Sequence, residues 1–351
     1  MDKAKGSKQK DVTIKDVARV SEVSAMTVSN VLNGSGRVSE ATAARIRSVI
    51  KQLGYRPSVA ARRLRLSRQW TIGMLIVVED PNFLSDPFTT AQVTGLTNYL
   101  TANSYSLILR GMKPSDFRTS GMFQDIEADG MVALLSGNEE QRDLFINELA
   151  NLNVPLVLLE EHKPRQDMDC ISICQNDEEG GYLIASHLVS CGAKQMWTLL
   201  PSAEWPAMKA RVAGVQRALK EAGVLAPEVI DCGDESYDFT YRATLAALKQ
   251  KGAPHAIIGG NDQMAIAAMK ACKDYGLCVP EDVQITGFNG FDIWRYVDPV
   301  LTTVCSAAHA LGETAGKVLI KRLHEGRFRQ DEITLPVTFQ QGSSTFKNNL
   351  L

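Results

Sequence analysis

Histidine and cysteine are scarce and scattered in this 351-residue chain, and long apolar runs are missing. The five histidines (His162, His187, His255, His309 and His324) lie far apart. No paired metal-ligand spacing, phosphate-binding P-loop or G-x-S-x-G elbow occurs, which argues against an enzyme. No catalytic residue, cofactor or metal site is therefore expected. The seven cysteines are odd in number and dispersed, which excludes a disulfide framework. Cys170 and Cys174, in DCISICQ, share one face of a strand-like segment and read as small core residues. A reducing cytoplasm suits this usage. The N-terminal run MDKAKGSKQKD lacks the apolar centre of a signal peptide, and no segment has membrane-spanning length. A cytoplasmic chain without a membrane partner is expected.

The net charge of −2 conceals a division. Residues 1–70 hold 15 Lys and Arg against 5 Asp and Glu, a net of +10. The remainder holds 23 basic and 35 acidic residues, a net of −12. A basic head on an acidic body suits a nucleic-acid-binding head, since phosphate contacts release counterions while the body is repelled from the duplex.

The head reads as helices. In 12–34, VTIKDVARVSEVSAMTVSNVLNG, Thr13 can cap a first helix, with Asp16 three residues on and Ile14, Val17 and Ala18 on one face. Ser24 can cap a second helix with Val28, Val31 and Leu32 inward, ended by Asn33-Gly34. Ala25, Met26, Thr27, Ser29 and Asn30 then point outward. In a helix-turn-helix that face enters the DNA major groove. A third helix spans about 40–53, capped by Ser39, lined by Ile46, Val49, Ile50 and Leu53, and stopped by Gly54. After Pro57, Ser58 can cap a short helix from Val59 to about Leu66, with four arginines around one large apolar residue, Leu64. Such a segment has little to bury and reads as a linker that orders on DNA.

From Thr71 the pattern alternates between strands and helices. Strands are expected at 72–78, 106–109, 131–135 and 156–159, with helices at 88–102, 116–127 and 139–151. A second series is expected from near Cys170, with strands near 196–200, 228–231, 256–259 and 284–287 and helices at 178–190, 207–221, 239–250 and 262–275. A helix at 308–324 and a strand at 332–340 close the chain. Repeated βα units imply parallel sheets flanked by helices, and two sets imply two lobes with a ligand cleft at their strand ends. The expected division is a basic arm at 1–11, a helix-turn-helix domain at 12–56, a hinge helix and linker at 57–69, a core at 70–345 and a tail at 346–351. Within the core, one lobe is assigned about 70–160 plus 291–320, and the other about 161–290 plus 321–345.

The motifs TIKDVARVSEVSAMTVSNVLNG, VSEATAARI, LGYRPSVAARRL, TIGMLI, VPLVLLEE, RVAGVQRAL, GGNDQMAIAAMKA, VPEDVQITGFNG and DPVLTTV follow in order. Their order and spacing resemble the LacI/GalR family of bacterial transcriptional regulators over nearly the whole chain. The resemblance implies an all-α head plus hinge helix, joined to a two-lobed α/β core like a periplasmic sugar-binding protein. It implies a homodimer, in some members a tetramer, that represses carbohydrate-related genes from a pseudo-palindromic operator on the bacterial nucleoid, under control of a sugar-like effector. An activator, or control by a protein partner, is the alternative. A solute-binding protein would explain the core but not the basic head.

The resemblance also assigns roles. Ala25 and Met26 match base-reading positions, and both are apolar, which suits thymine methyl groups. Asn30, where many relatives carry Arg, can pair with adenine. Thr13, Ser24, Thr27, Ser29, Asn33, Ser39 and Thr42 match phosphate-contacting positions. In the hinge, Leu64 matches a minor-groove wedge and Ala61 a small residue permitting close approach. Arg62 is placed for phosphates, and Ser58 belongs to the same DNA-facing set. At the effector end, Arg211, Asn261, Asp262, Glu160 and Asn289 match ligand contacts, and Phe88, Trp205 and Tyr237 are candidates to stack on a ligand's apolar face. Many relatives carry a carboxylate where Asn289 stands. The amide suggests a ligand offering an acceptor, such as an acidic sugar, with Arg211 and Arg110 adding positive charge.

Overall fold

A computed structural model describes residues 12–33, 36, 38–55, 68–79, 82–121, 123–161, 168–203 and 205–346. The chain divides into two compact units, Met1–Gln69 and Trp70–Leu351.

The first unit contains α1 (Ile14–Val20), α2 (Ala25–Asn33) and α3 (Glu40–Leu53). Asp16 reaches back to Thr13, accepting from its amide at 2.9 Å and its hydroxyl at 2.7 Å, and so fixes the start of α1. Ser24 accepts from the Thr27 amide at 3.1 Å, and Ser39 from the Thr42 amide at 3.3 Å. Gly54, at φ +62°, ends α3 in the left-handed region. Val17, Ala18, Val28, Ile46 and Val49 form the small core.

The second unit is a two-lobed α/β structure. Its elements run β1 (Thr71–Val77), α4 (Pro87–Ala102), β2 (Ser106–Met112), α5 (Pro114–Ser120), β3 (Gly130–Leu135), α6 (Glu139–Ala150), β4 (Leu156–Leu159) and β5 (Cys170–Gln175). Then come α7 (Asp177–Ser190), β6 (Met196–Leu200), α8 (Pro206–Glu221), β7 (Glu228–Asp231), α9 (Tyr237–Lys251), β8 (Ala256–Gly259), α10 (Asp262–Tyr275) and β9 (Gln284–Thr286). The last elements are β10 (Thr303–Cys305), α11 (Ala308–Glu325), β11 (Glu332–Leu335) and β12 (Thr338–Gln340).

The first sheet has the order β11-β5-β4-β3-β1-β2 and the second β7-β6-β8-β9, and every pairing within them is parallel. Strand β10 pairs antiparallel with β12. Both faces of each sheet are covered, as parallel sheets require. Along β1, Ile72, Met74 and Ile76 enter one core while Leu75 and Val77 enter the other.

Four expectations need correction. The 291–305 stretch belongs to the second lobe and not the first: Leu301 and Val304 enter its cores. Strand β5 does not open the second lobe: it lies between β4 and β11 in the first sheet. The expected strand at 332–340 is two strands, and β11 belongs to the first sheet, so 321–345 is shared between lobes. Pro336 lies between them and cannot donate to a ladder. The helix expected at 116–127 runs Pro114–Ser120 instead, because Gly121 stops it at φ +57°.

The chain therefore crosses between lobes three times, at 175–177, 305–308 and 335–338. The crossings are tied together. Gln175 Oε1 accepts from the Ala307 amide at 2.9 Å, and the Asn176 amide donates to the Leu335 carbonyl at 2.9 Å.

Candidate functional site

The reading end is set by the phase of α2. At 100° per residue, Ala25, Val28, Ser29 and Leu32 share one side, whereas Met26, Thr27 and Asn30 share the other. Met26 is 69% exposed, the most open large apolar side chain among the described residues of the head. Ser29 is the correction: it is buried at 5% exposure, not directed outward. Ala25 is half-buried against the head's core. Leu32 falls on the inner side but lies past the end of the core, and stays 36% exposed. Asn30 lies over Gly36, where a Cβ would sit 2.9 Å from Asn30 Nδ2. Thr13, Ser24 and Ser39 are exposed at helix starts, and Thr42 is half-buried. The side chain of Asn33, and Ser58, Ala61, Arg62 and Leu64, lie outside the described residues.

The cleft end is built around Arg211 on α8. This side chain is 8% exposed. Its Nε donates to Asp177 Oδ1 at 2.7 Å, Nη1 to the Gly260 carbonyl at 2.7 Å and Nη2 to Asn289 Oδ1 at 3.3 Å. Its guanidinium carbon stands 3.7 Å from the centre of the Phe288 ring. Arg211 thus ties the starts of α7 and α8 to the loop after β8 and to the 287–291 turn. A small cavity beside it is walled by Ile184, Leu200, Met208, Val215 and Phe288.

The other expected contacts divide. Glu160 ends β4 at φ +59°, and Asn289 sits in its turn at φ +102° and 8% exposure. Asn261 caps α10 through Oδ1, which accepts from the Met264 amide at 2.9 Å, while Nδ2 donates to Glu235 at 2.7 Å. Asp262 is fully buried, and its carboxylate accepts from Thr303 Oγ1 at 2.5 Å and from the Phe291 amide at 2.9 Å. It is a brace inside the second lobe and not a cleft-facing group. Burial pushes its carboxyl up to about 7 against the pull of these hydrogen bonds. Phe88 packs on the first core. Trp205 is half-buried at the start of α8, and Tyr237 is 39% exposed and stacked 6.2 Å from Tyr241.

Sequence reasoning missed Asp177, Gln175, Glu235 and Asp86. Asp86 caps α4 in the first lobe, accepting from the Phe88 and Thr89 amides. Its charge acts on Glu235 of the second lobe. Burial, then Asp86, pushes the Glu235 carboxyl above its usual range. The two lips of the cleft therefore carry like charges. This arrangement engages the Arg211 guanidinium and gives no support to the expectation of an acidic ligand. Arg211 is already paired with Asp177, and Asn289 gives its oxygen to Arg211, while Asp86, Glu160 and Glu235 bring carboxyl groups and no cation. Among the described residues no cluster of His, Cys, Asp and Glu could hold a metal, and no helix is long and apolar enough to cross a membrane.

A capped helix-turn-helix unit joined to a two-lobed core with a buried polar clamp defines a regulator that couples a DNA-reading head to a ligand-binding body. The comparisons agree with this class. Residues 13–58 match the model of bacterial regulatory proteins of the lacI family, and 185–345 match a periplasmic binding protein-like domain. The HTH-type transcriptional repressor PurR of Aliivibrio fischeri (strain ATCC 700601 / ES114) is 32% identical over 321 residues, covering 89% of this chain and 92% of that protein. The ribose operon repressor of Escherichia coli (strain K12) is 29% identical, covering 95% and 99%. The lac repressor dimer bound to operator and the anti-inducer ONPF matches with a TM-score of 0.79 at 24% identity, covering 96% of this chain and 100% of that one. A LacI family transcriptional regulator from Enterococcus faecium with bound ribose matches with a TM-score of 0.68 at 25% identity, covering 78% and 98%. The chain belongs to the LacI family, a family of transcriptional regulators and not of enzymes.

Proposed function

We propose that this chain is a homodimeric repressor that reads a pseudo-palindromic operator with α2 and is controlled by a small, hydroxyl-bearing effector held between the lobes of its core. The observation that carries the first half is the outward face of α2: exposed Met26 beside Thr27 and Asn30, on a helix whose start is capped by Ser24. Met26 reads thymine methyl groups, Ala25 assists from the helix start, and Asn30 pairs with adenine. Ser24, Thr27, Ser39, Thr42 and Thr13 contact phosphates and fix register. The hinge residues Ser58, Ala61, Arg62 and Leu64 complete the interface. In this reading the chain has no catalytic role and works in the bacterial cytoplasm on the nucleoid.

The second half rests on the Arg211 clamp. It joins three segments of the second lobe near three tied crossings, so a ligand that touches both lobes biases their relation and hence the head's pairing on DNA. The ribose named for the Enterococcus faecium regulator and for the E. coli ribose operon repressor makes a sugar-like effector the first class to test. The experiment is operator selection from a random DNA library with the full chain, followed by titration of the selected site with and without a sugar panel. A selected site without two-fold symmetry would contradict the homodimer. A chain lacking residues 1–69 that still bound the site would contradict the role of the head.

A further inference from the structure

Two buried carboxyl groups meet beside Arg211, one at the end of β4 and one at the start of α7. Asp177, the first residue of α7, is 1% exposed. Its Oδ1 receives Arg211 Nε at 2.7 Å and Gln175 Nε2 at 3.2 Å. Its Oδ2 and both oxygens of Glu160 are buried and receive no well-formed hydrogen bond, and the Glu160 carboxyl is held only by the Asp177 carboxyl and the Gln175 backbone. A buried carboxylate in that state is costly unless a proton or a cation satisfies it. Arg211 is held elsewhere by Gly260 and Asn289. One guanidinium therefore stands against two carboxyl groups here, and against Asp86 and Glu235 at the lips.

We propose that Glu160 and Asp177 are specificity-determining residues that select an effector carrying a protonated amine, whose ammonium donates to these three buried oxygens. The proposal rests on the reading of the cleft as an effector site and names the ligand chemistry that this site takes. In the empty cleft Glu160 keeps its proton and shares it with Asp177 through a hydrogen bond. Burial and the Asp177 charge push the Glu160 carboxyl well above the usual carboxylate range, and Arg211 opposes them. Cys174 of β5, whose thiol burial keeps neutral, faces both carboxyls, with Glu332 and Glu161 also acting on it. Binding of an ammonium ion displaces the shared proton to solvent: the Glu160 O–H bond breaks, the carboxylate remains, and the ammonium keeps its own protons. A neutral sugar provides no such charge, and a sugar acid adds a further negative one.

The test is thermal denaturation of the full chain just below neutral pH with matched sets of D-glucose, D-glucosamine and D-gluconate, and of D-galactose, D-galactosamine and D-galacturonate. An aminated member is expected to raise Tm by at least about 3 °C while its neutral and acidic counterparts do not. Its binding should release a proton, seen as a buffer-dependent heat in calorimetry. Glu160→Gln should abolish the preference for the amine. In the empty protein, the same variant should flatten the fall of Tm with rising pH that ionisation of Glu160 causes. A neutral or acidic sugar that shifts Tm as much as the amine overturns amine selection and leaves the effector reading standing. No shift from any member overturns both. An unchanged Tm–pH curve for Glu160→Gln overturns the shared proton.

Discussion

Arg211 and Asp177 form a pair whose two members are unequal in their consequences. Removing the guanidinium leaves Asp177 buried and uncompensated and frees the Gly260 and Asn289 acceptors at once. Arg211→Ala should lower the core's stability by about 3–5 kcal/mol, measured by denaturant titration. Arg211→Lys should fall between, since one ammonium cannot reach three acceptors set in different directions. A loss under about 1 kcal/mol for the alanine variant would mean that Asp177 finds another donor. At the other end of the chain, Met26→Ala should weaken operator binding by about 1 kcal/mol or more. Replacing the contacted thymine by deoxyuridine should cost the wild type a similar amount and the variant nothing further. Independent, additive losses would show that Met26 does not touch that methyl group. Arg211, Asn261 and Asn289 were legible because each stands in a recognisable motif. Ser29 was misread because its polarity suggested solvent, while its helical phase places it beside Val28. Asp262 was misread because a carboxylate after a strand usually faces the cleft, and only the structure shows Thr303 and Phe291 behind it. Glu160 and Asp177 lie in different motifs, and nothing in their spacing shows that the two carboxyl groups meet.

The lobes repeat one packing device. In the first, α4 crosses α11 so closely that a Cβ on Gly95 would lie 2.0 Å from the His309 carbonyl oxygen, and one on Gly312 1.9 Å from that of Gln92. In the second, α7 crosses α8, and a Cβ on Gly181 would lie 2.0 Å from the Arg211 carbonyl oxygen, and one on Gly214 1.8 Å from that of Glu178. Backbone meets backbone at both crossings, so the helices must separate if a methyl group is added. Gly214→Ala should therefore destabilise the core by roughly 1–3 kcal/mol despite the better helix propensity of alanine. It should also disturb Arg211 on the same helix. A gain in Tm would show that the crossing is looser than these distances. Helices and strands were mostly legible from periodicity. The crossings were not. A glycine within a helix reads only as a local cost until its partner glycine, up to 217 positions away in the pair of Gly95 and Gly312, is seen opposite. Strand membership failed for the same reason, because β5 and β11 carry ordinary buried-strand patterns that fit either sheet.

At the scale of the molecule, charge and proton uptake decide how the parts behave in solution. Asp262 is held at about 7 inside the folded core, above its usual carboxylate value of 3.8. Its folded-state pKa is raised, so its stabilising contribution is complete below the unfolded pKa and lost as pH rises through about 7. Burial raises Glu235 in the same sense. The Tm of the full chain should fall between about pH 5 and pH 8, and Asp262→Asn should reduce that slope; a slope unchanged in the variant would place the titration elsewhere. The division of charge acts on DNA. The head's net +10 draws phosphates, whereas the body's net −12 opposes approach to the same polyanion. Non-specific binding of the full chain should therefore be weaker at low salt than that of residues 1–69 alone. The gap should close above about 0.3 M salt, where the Debye length falls well below 10 Å. Specific binding should show a steep negative dependence of log K on log salt, set by the number of phosphates the head neutralises. Competition titrations with random-sequence DNA across a salt series would read both. Equal non-specific affinity for the two chains at low salt would show that the acidic core is held too far from the duplex to repel it.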